Sequence, residues 1–306
     1  MGAKSALKDA IKNFVAVTVF HSATVISPKL NTQLRFLQNQ KRFADLKNPK
    51  TFTEKLSWLK LNYCADNEVI KQCSDKYRVR EYVKSKGLGD MLIPLVDKYA
   101  DTKEIIWETL PDKFVLKWNF GSGYNYLCSN KADANEAKAK ALLDKWKKNK
   151  FWLKYAEMQY KITDKEKIIL CEKFLETDGE LLDYKFYCFN GKPLAVLVIS
   201  RQTEEDNAAV FMSPEWELIS SEAHKKYKRT ILPQKPESLD EMLKASEILS
   251  ADFPFVRVDF YECNGKPYFG ELTFTPAAGI QTSETMINGK TMGELLDIDF
   301  IIKNKS

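Results

Sequence analysis

The sequence predicts an α+β protein built as two lobes and preceded by a helical N-terminal element. Three observations carry that expectation. Segments that alternate apolar and polar residues, as half-buried strands do, fall at 114–128, 167–199 and 255–274. Segments with apolar residues at helical spacing lie before and between them, at 51–62, 66–86, 132–150 and 238–250. No internal repeat or low-complexity linker intervenes, so the lobes are expected to pack closely rather than hang as beads on a string. A chain of 306 residues, 44% hydrophobic and 12% aromatic, has ample material for two cores.

The elements follow in order. Phe14 to Ile26 is apolar but interrupted by Thr18, His21, Ser22 and Thr24, and it is too short to span a bilayer. Lys4, Lys8 and Lys12 precede it as in a signal peptide, yet the small-residue cleavage pattern is poor. Ala6 stands where a myristoylation motif needs Ser or Thr. Packing of this stretch on its own protein is the simpler reading; a docking helix or a peripheral membrane foot is the sharper one. Helices over 51–62 and 66–86 come next, the second placing Val79, Tyr82 and Val83 on one side. Leu92 to Val96 reads as a strand, and Asp101 caps a short helix.

Phe114 to Asn119 is a short apolar strand that bears Lys117, and Tyr126 to Cys128 is its partner. Gly121-Ser122-Gly123 joins them, and such a tip can turn backbone N–H groups toward an anion because glycine tolerates positive φ. Any hairpin can carry these residues, and the spacing is neither the GxxxxGK[ST] phosphate loop nor the Rossmann GxGxxG. The helix over 132–150 puts Leu142, Leu143 and Trp146 on one side and many lysines on the other, most simply a solvated face, more sharply an attraction surface for an anionic glycan. Lys167 to Glu176 is an apolar strand that turns charged at Glu172 and Lys173. Gly179 to Gly191 alternates and sets Asp183 and Lys185 on one face, and Leu194 to Ile199 is a buried strand that delivers Arg201.

After the helix over 238–250, two alternating runs, Phe255 to Tyr261 and Tyr268 to Thr275, flank the tight-turn pair Asn264-Gly265. Arg257 and Asp259 share one face, as do Glu271 and Thr273. An Asp and a Glu on neighbouring strands repel each other unless a cation lies between them. Magnesium, held by one or two carboxylates with waters and phosphate oxygens, would serve, and an adjacent Arg would grip phosphate through two bonds. A cross-strand ion pair of Arg257 with Glu271 would serve as well, and the local sequence leaves both readings open.

The order of these pieces resembles the ATP-grasp family, most closely its teichuronopeptide-biosynthesis (TupA-like) branch of bacterial polysaccharide gene clusters. The resemblance rests on Thr51 to Lys60, Asp75 to Tyr82, Leu110 to Lys117, Asp183 to Gly191, Phe255 to Tyr261 and Phe269 to Phe274, and it spans roughly 45–296. It implies an ATP-grasp fold whose two α+β lobes sandwich ATP. The divisions it implies are an N-terminal helical docking segment at 1–44, a preceding region at 45–109, an N-lobe with a glycine lid at 110–176 and a C-lobe with the metal hairpin at 177–306. It further implies that Lys117 meets the phosphates and that Gly121, Ser122 and Gly123 close over them. Glu172, Lys173, Phe174 and Leu175 would form the adenine hinge, Lys185 and Arg257 would face the phosphates or an acyl-phosphate, and Asp259 and Glu271 would hold Mg2+. Many ATP-grasp ligases carry Asn two residues after the metal-binding Glu; Thr273 stands there in this chain, which points to weaker ligation. Arg201 joins Arg257 as a candidate for holding a substrate carboxylate, against the alternative of a surface ion pair with Glu204 or Glu205.

The activity so implied is that of a cytoplasmic, ATP-dependent carboxylate–amine ligase acting through an acyl-phosphate on a sugar or uronic acid of a surface polysaccharide or capsule. The N-terminal segment would be its contact with a membrane or with the polysaccharide-assembly machinery. A kinase or glycan phosphotransferase, a glycosyltransferase and a non-catalytic ATP-binding scaffold are the alternatives. The glycosyltransferase reading has only the bare Asp297-Ile-Asp299 spacing in its favour. A net charge of +5 suits ATP and an acidic saccharide, but no clustered basic stripe or module for nucleic acid is legible. The 6 cysteines show no CxxC spacing and sit largely in apolar runs, as free buried thiols do, and with only 2 histidines neither a zinc site nor a Ser-His-Asp hydrolase is expected.

Overall fold

The computed structural model describes residues 17–177, 179–201, 207–220, 232–280 and 285–300. Two antiparallel sheets, each with its own apolar core, organise the chain. The smaller has four strands in the order β1-β4-β2-β3, with β1 at Leu95–Tyr99, β2 at Phe114–Trp118, β3 at Asn125–Cys128 and β4 at Ile169–Lys173. Alternation works here as expected: Phe114, Leu116 and Trp118 of β2 are fully buried against Ala139 and Leu143 of a covering helix, while Lys117 takes the other face.

The larger sheet has six strands in the order β10-β9-β5-β6-β7-β8. These are β5 at Asp183–Phe189, β6 at Lys192–Arg201, β7 at Asn207–Met212, β8 at Leu218–Ser220, β9 at Phe255–Cys263 and β10 at Lys266–Thr273. Every residue of β5 is buried, because both faces of this central strand are covered. The β9–β10 hairpin turns at Asn264 and Gly265, both with positive φ, as the sequence predicts. Its core takes in helix Leu239–Ser250 and the helices that precede the sheets.

Those that give it side chains are α2 at Phe52–Leu59, α3 at Glu68–Ser74 and α4 at Val79–Ser85; α1 at Pro28–Gln40 and helical backbone over 17–26 come before them. Thr51 and Glu54 form a capping box at the start of α2, and a π-helical turn over Lys60–Cys64 carries it on. The single helix expected over 66–86 is broken in two. Asp75 has extended backbone, its carboxylate accepts the N–H groups of Tyr77 and Arg78, and Lys76 N–H donates to Asn119 O of the small lobe. Three other expectations shift. The strand expected at 92–96 runs instead over Leu95–Tyr99, since Pro94 cannot donate and its carbonyl receives Lys173 N–H. The basic helix is shorter, Glu136–Lys147, because Asn135 caps it. β7 and β8 had no counterpart in the sequence reading. All six cysteines are free and buried, and no helix among the described residues is long and apolar enough to cross a membrane.

Candidate active site

The register of the larger sheet lines up charges in rows. Lys185 on β5, Asp259 on β9 and Glu271 on β10 are direct cross-strand neighbours, and the next row sets Tyr187, Arg257 and Thr273 side by side. A register shift between Phe269 and Glu271 brings Glu271 opposite Asp259. Gly270 occupies the shift, where a Cβ would come within 3.1 Å of Asp259 O.

The cation between the two carboxylates is Arg257. Its Nε and Nη2 donate to Asp259 Oδ1 and Oδ2 at 2.7 and 2.6 Å, and Nη2 also reaches Glu271 Oε1 at 3.3 Å and Thr273 Oγ1 at 3.0 Å. Because Asp259 and Glu271 share one guanidinium nitrogen, their carboxyl groups are held side by side. Lys185 Nζ donates to Asp259 Oδ2 at 2.6 Å and lies 3.5 Å from Asp183. Thr273 donates to Glu271 Oε1 at 3.1 Å, so its hydroxyl orients that carboxylate.

The small sheet contributes a second cluster. Lys117 of β2 pairs with Glu172 of β4 at 2.6 Å, and Arg80 of α4 lies 3.5 Å from the same carboxylate. At the β2–β3 tip, Gly121 and Gly123 have φ of 73° and 77°. A Cβ on Gly121 would also sit 2.4 Å from the Tyr124 ring, so this position requires glycine.

Between the clusters stands a residue given no role by the sequence reading, Lys76. The helix break at Asp75 delivers it, and its Nζ donates to Gly121 O at 2.5 Å. Burial lowers its pKa, while Glu271 of the large sheet and Glu172 of the small one act to raise it. Burial likewise acts to raise the Glu271 carboxyl, but Lys76, Arg257 and Lys185 overcome it and hold it at about 2. For Arg257, Asp259 outweighs burial and drives the pKa upward.

Lys76, Gly121, Ser122, Arg257, Glu271 and Thr273 all line one cavity of about 770 Å³. That size is ordinary for small-molecule sites, roughly 300–1,000 Å³. Glu157 and Thr275 line its far wall, with the Thr275 hydroxyl donating to Glu157 Oε1.

Among the described residues no group of three or more His, Cys, Asp and Glu side chains is placed to hold a metal by itself. Magnesium asks for less, one or two carboxylates completed by phosphate oxygens and water. The donor set fits that ion: Glu271 turns only Oε1 toward Arg257 and Thr273, which leaves Oε2 to the cavity, while both Asp259 oxygens are engaged by cations.

The remaining expected positions separate. Lys173 is exposed at the end of β4 with its N–H committed to Pro94 O, and Phe174 and Leu175 follow, half-buried. The Glu172 carboxylate is taken up by Lys117 and Arg80. Arg201 ends β6, but its side chain lies outside the described residues, as do Glu204 and Glu205. Asp297 Oδ1 accepts Asp299 N–H at 2.9 Å in a local turn. Only the charged phrase around Asp75 hinted at Lys76, and its orientation needed the helix break that helical periodicity hid.

The family model described as TupA-like ATPgrasp matches residues 54–297. No curated protein matches the chain. Among solved structures, a D-alanine–D-alanine ligase from Bacillus anthracis superposes with a TM-score of 0.47 at 16% identity, over 89% of this chain and 82% of that one. An N5-carboxyaminoimidazole synthetase from Staphylococcus aureus gives a TM-score of 0.42 at 12% identity, over 76% of this chain and 52% of that one.

Proposed function

The chain belongs to the TupA-like ATP-grasp family, and from that premise we propose that this ATP-grasp ligase joins an amine to the carboxylate of a sugar or uronic acid in the synthesis of a bacterial surface polysaccharide. The observation that supports this reading best is the convergence of Lys76, Arg257, Glu271, Thr273 and the Gly121–Ser122 tip on one cavity between two sheets. A carboxylate is a poor electrophile, and phosphorylation by ATP supplies the leaving group an amine can displace. The protein's part is to position the reactants and offset charge.

In this reading Lys117, Lys76, Lys185 and Arg257 face phosphate oxygens, and the guanidinium of Arg257 suits either a phosphate or an acyl-phosphate. Magnesium, held by Glu271 Oε2 together with phosphate oxygens and water while Asp259 stays engaged by Arg257 and Lys185, would supply further neutralisation of phosphate charge. Gly121 to Gly123 form the lid that excludes water, to which an acyl-phosphate is vulnerable. Glu172 to Leu175 serve as the adenine hinge, and Arg201 is a second candidate for the substrate carboxylate. We assign 1–44 as docking segment, 45–109 as preceding region, 110–176 as N-lobe and 177–306 as C-lobe.

A peripheral membrane contact from a cytoplasmic enzyme fits the N-terminal surface, where Val25, Ile26 and Phe43 are 73%, 75% and 62% exposed beside Lys29, Lys41 and Arg42. The deciding experiment measures ADP and inorganic phosphate release from ATP over a panel of uronic acids crossed with amino acids. Release of both that requires a carboxylate and an amine supports the ligase; ADP release with a glycan hydroxyl alone and no matching inorganic phosphate would make it a kinase.

A further inference from the structure

Helix α1 is turned inside out. Its buried residues are Asn31, Thr32, Arg35 and Phe36, so the inner face is mostly polar. Leu30, Leu34 and Leu37 recur at helical spacing on the opposite face. Leu30 is 39% and Leu37 42% exposed, and Leu34 is half-buried. An ordinary surface helix does the reverse.

The inner face explains the inversion. The short helix Phe151–Tyr155 ends at Ala156 in left-handed backbone, and its last carbonyls lack partners within the helix. Side chains from the preceding helices take them up: Thr24 donates to Leu153 O at 2.6 Å, Arg35 Nε to Lys154 O at 3.0 Å and Lys60 to Tyr155 O at 3.1 Å. Arg35 also lies over the rings of Phe20 and Tyr155, at 3.8 and 4.4 Å. Phe151, Lys154 and Tyr155 line the cavity of Arg257 and Glu271. The polar face of α1 is thus committed to holding a wall of that cavity, and its leucines are left outside.

Exposed apolar surface and positive charge both concentrate here. Of the 14 large apolar residues exposed among the described residues, 7 lie between Val17 and Phe43. Residues 1–50 hold 9 Lys and Arg against 2 acidic residues, a surplus larger than the +5 of the whole chain, so the remainder is net acidic. Lys29 stands at one end of the leucine face, and Lys41 and Arg42 at the other, all exposed. Such a helix fits the interface of an anionic bilayer, with leucines among the upper acyl chains and cations at the headgroup phosphates. A second copy docked face to face would set the same cations against one another.

We propose that α1 seats the protein, leucine face down, on an anionic phospholipid bilayer. The opposite face of α1 then puts the Phe151–Tyr155 wall of the cavity one helix diameter, about 10 Å, from the headgroups. The proposal rests on the peripheral membrane contact given above, to which it adds a face and a lipid charge, and not on the ligase chemistry.

Flotation of the full chain with vesicles tests it, using phosphatidylcholine alone or with about one third phosphatidylglycerol. Binding to the mixed vesicles should be at least about tenfold tighter than to neutral ones, and about 0.5 M salt should remove most of the difference. Leu30→Gln with Leu37→Gln should weaken binding to mixed vesicles about tenfold without lowering the melting temperature, since both side chains face solvent. Lys29→Glu with Lys41→Glu should weaken it at least as much. Equal binding to neutral vesicles, or unchanged binding by the leucine variant, would overturn the proposal and leave a peripheral contact of another kind. No flotation with either vesicle would overturn both. A leucine variant that melts lower would show these side chains packed on their own chain, and loss of a dimer in that variant would give the face to a second copy; either overturns the seat.

Discussion

At the scale of single residues, Asp259 and Glu271 look equivalent in sequence and are not equivalent in the fold. Asp259 is buried and accepts from two cations, whereas the Glu271 side chain is 40% exposed and keeps one oxygen toward the cavity. Asp259→Asn strands Arg257 and Lys185, and stranding buried charges costs about 3–5 kcal/mol, so chemical denaturation should show a large loss of stability. Glu271→Gln should abolish ATP turnover and also lower the unfolding midpoint at neutral pH, since it removes the charge that Arg257 and Lys76 face. The Glu271 carboxyl is depressed from its ordinary 4.5 to about 2, so it contributes stability above pH 4.5 that is lost as pH falls toward 2. Acid titrations of wild type should steepen in that window, and those of Glu271→Gln should not. Lys76→Met removes the charge between the sheets and should raise the Michaelis constant for ATP by about tenfold or more, as loss of a charge-assisted bond of about 1.5–3 kcal/mol requires. An unchanged constant would return Lys76 to a merely structural tie on Gly121. Arg257, Asp259, Lys185 and Lys117 could be read from alternation, because strand periodicity fixes which side chains share a face. Lys76 could not, since its direction is set by a carboxylate that captures two backbone N–H groups.

At the scale of elements, local signals were legible wherever they were also the deciding ones. The Asn264-Gly265 turn and the cap at Asp101 lie where their chemistry put them. The helix over 66–86 failed because apolar spacing continues through a break made by long-range bonds to Asn119. β7 was illegible because Ala208 and Ala209, buried at 0% and 1%, give no alternation to detect. The start of α2 supplies the element-scale prediction. Glu54 is 4% exposed; burial acts to raise its pKa, but Arg42 and the N–H groups of Asp45, Thr51 and Lys50 hold it at about 2. Glu54→Gln should lower stability at pH 7 by about 1–3 kcal/mol, measured by urea unfolding, with the difference from wild type shrinking as pH falls from 4.5 toward 2. A pH-independent difference would show that the carboxylate's charge is not what the cap uses.

At the scale of the whole molecule, two separate cores with a cavity between them predict that the lobes respond differently to nucleotide. Hydrogen exchange should show the smaller lobe opening more readily, since fewer buried side chains hold it, and an ATP analogue should slow exchange across Lys117 to Tyr126 most. Uniform protection of both lobes would mean that the tip is no lid. The six thiols bear on how such motion can be watched. All are buried, and burial pushes Cys64, Cys73, Cys171 and Cys188 up to about 12 and raises Cys128 as well. Ser122, at the exposed tip, can therefore be replaced by cysteine and labelled on an otherwise wild-type background. The folded chain should then react with a maleimide dye chiefly at that position, and the dye's emission and anisotropy would report how the surroundings of the tip change when nucleotide binds.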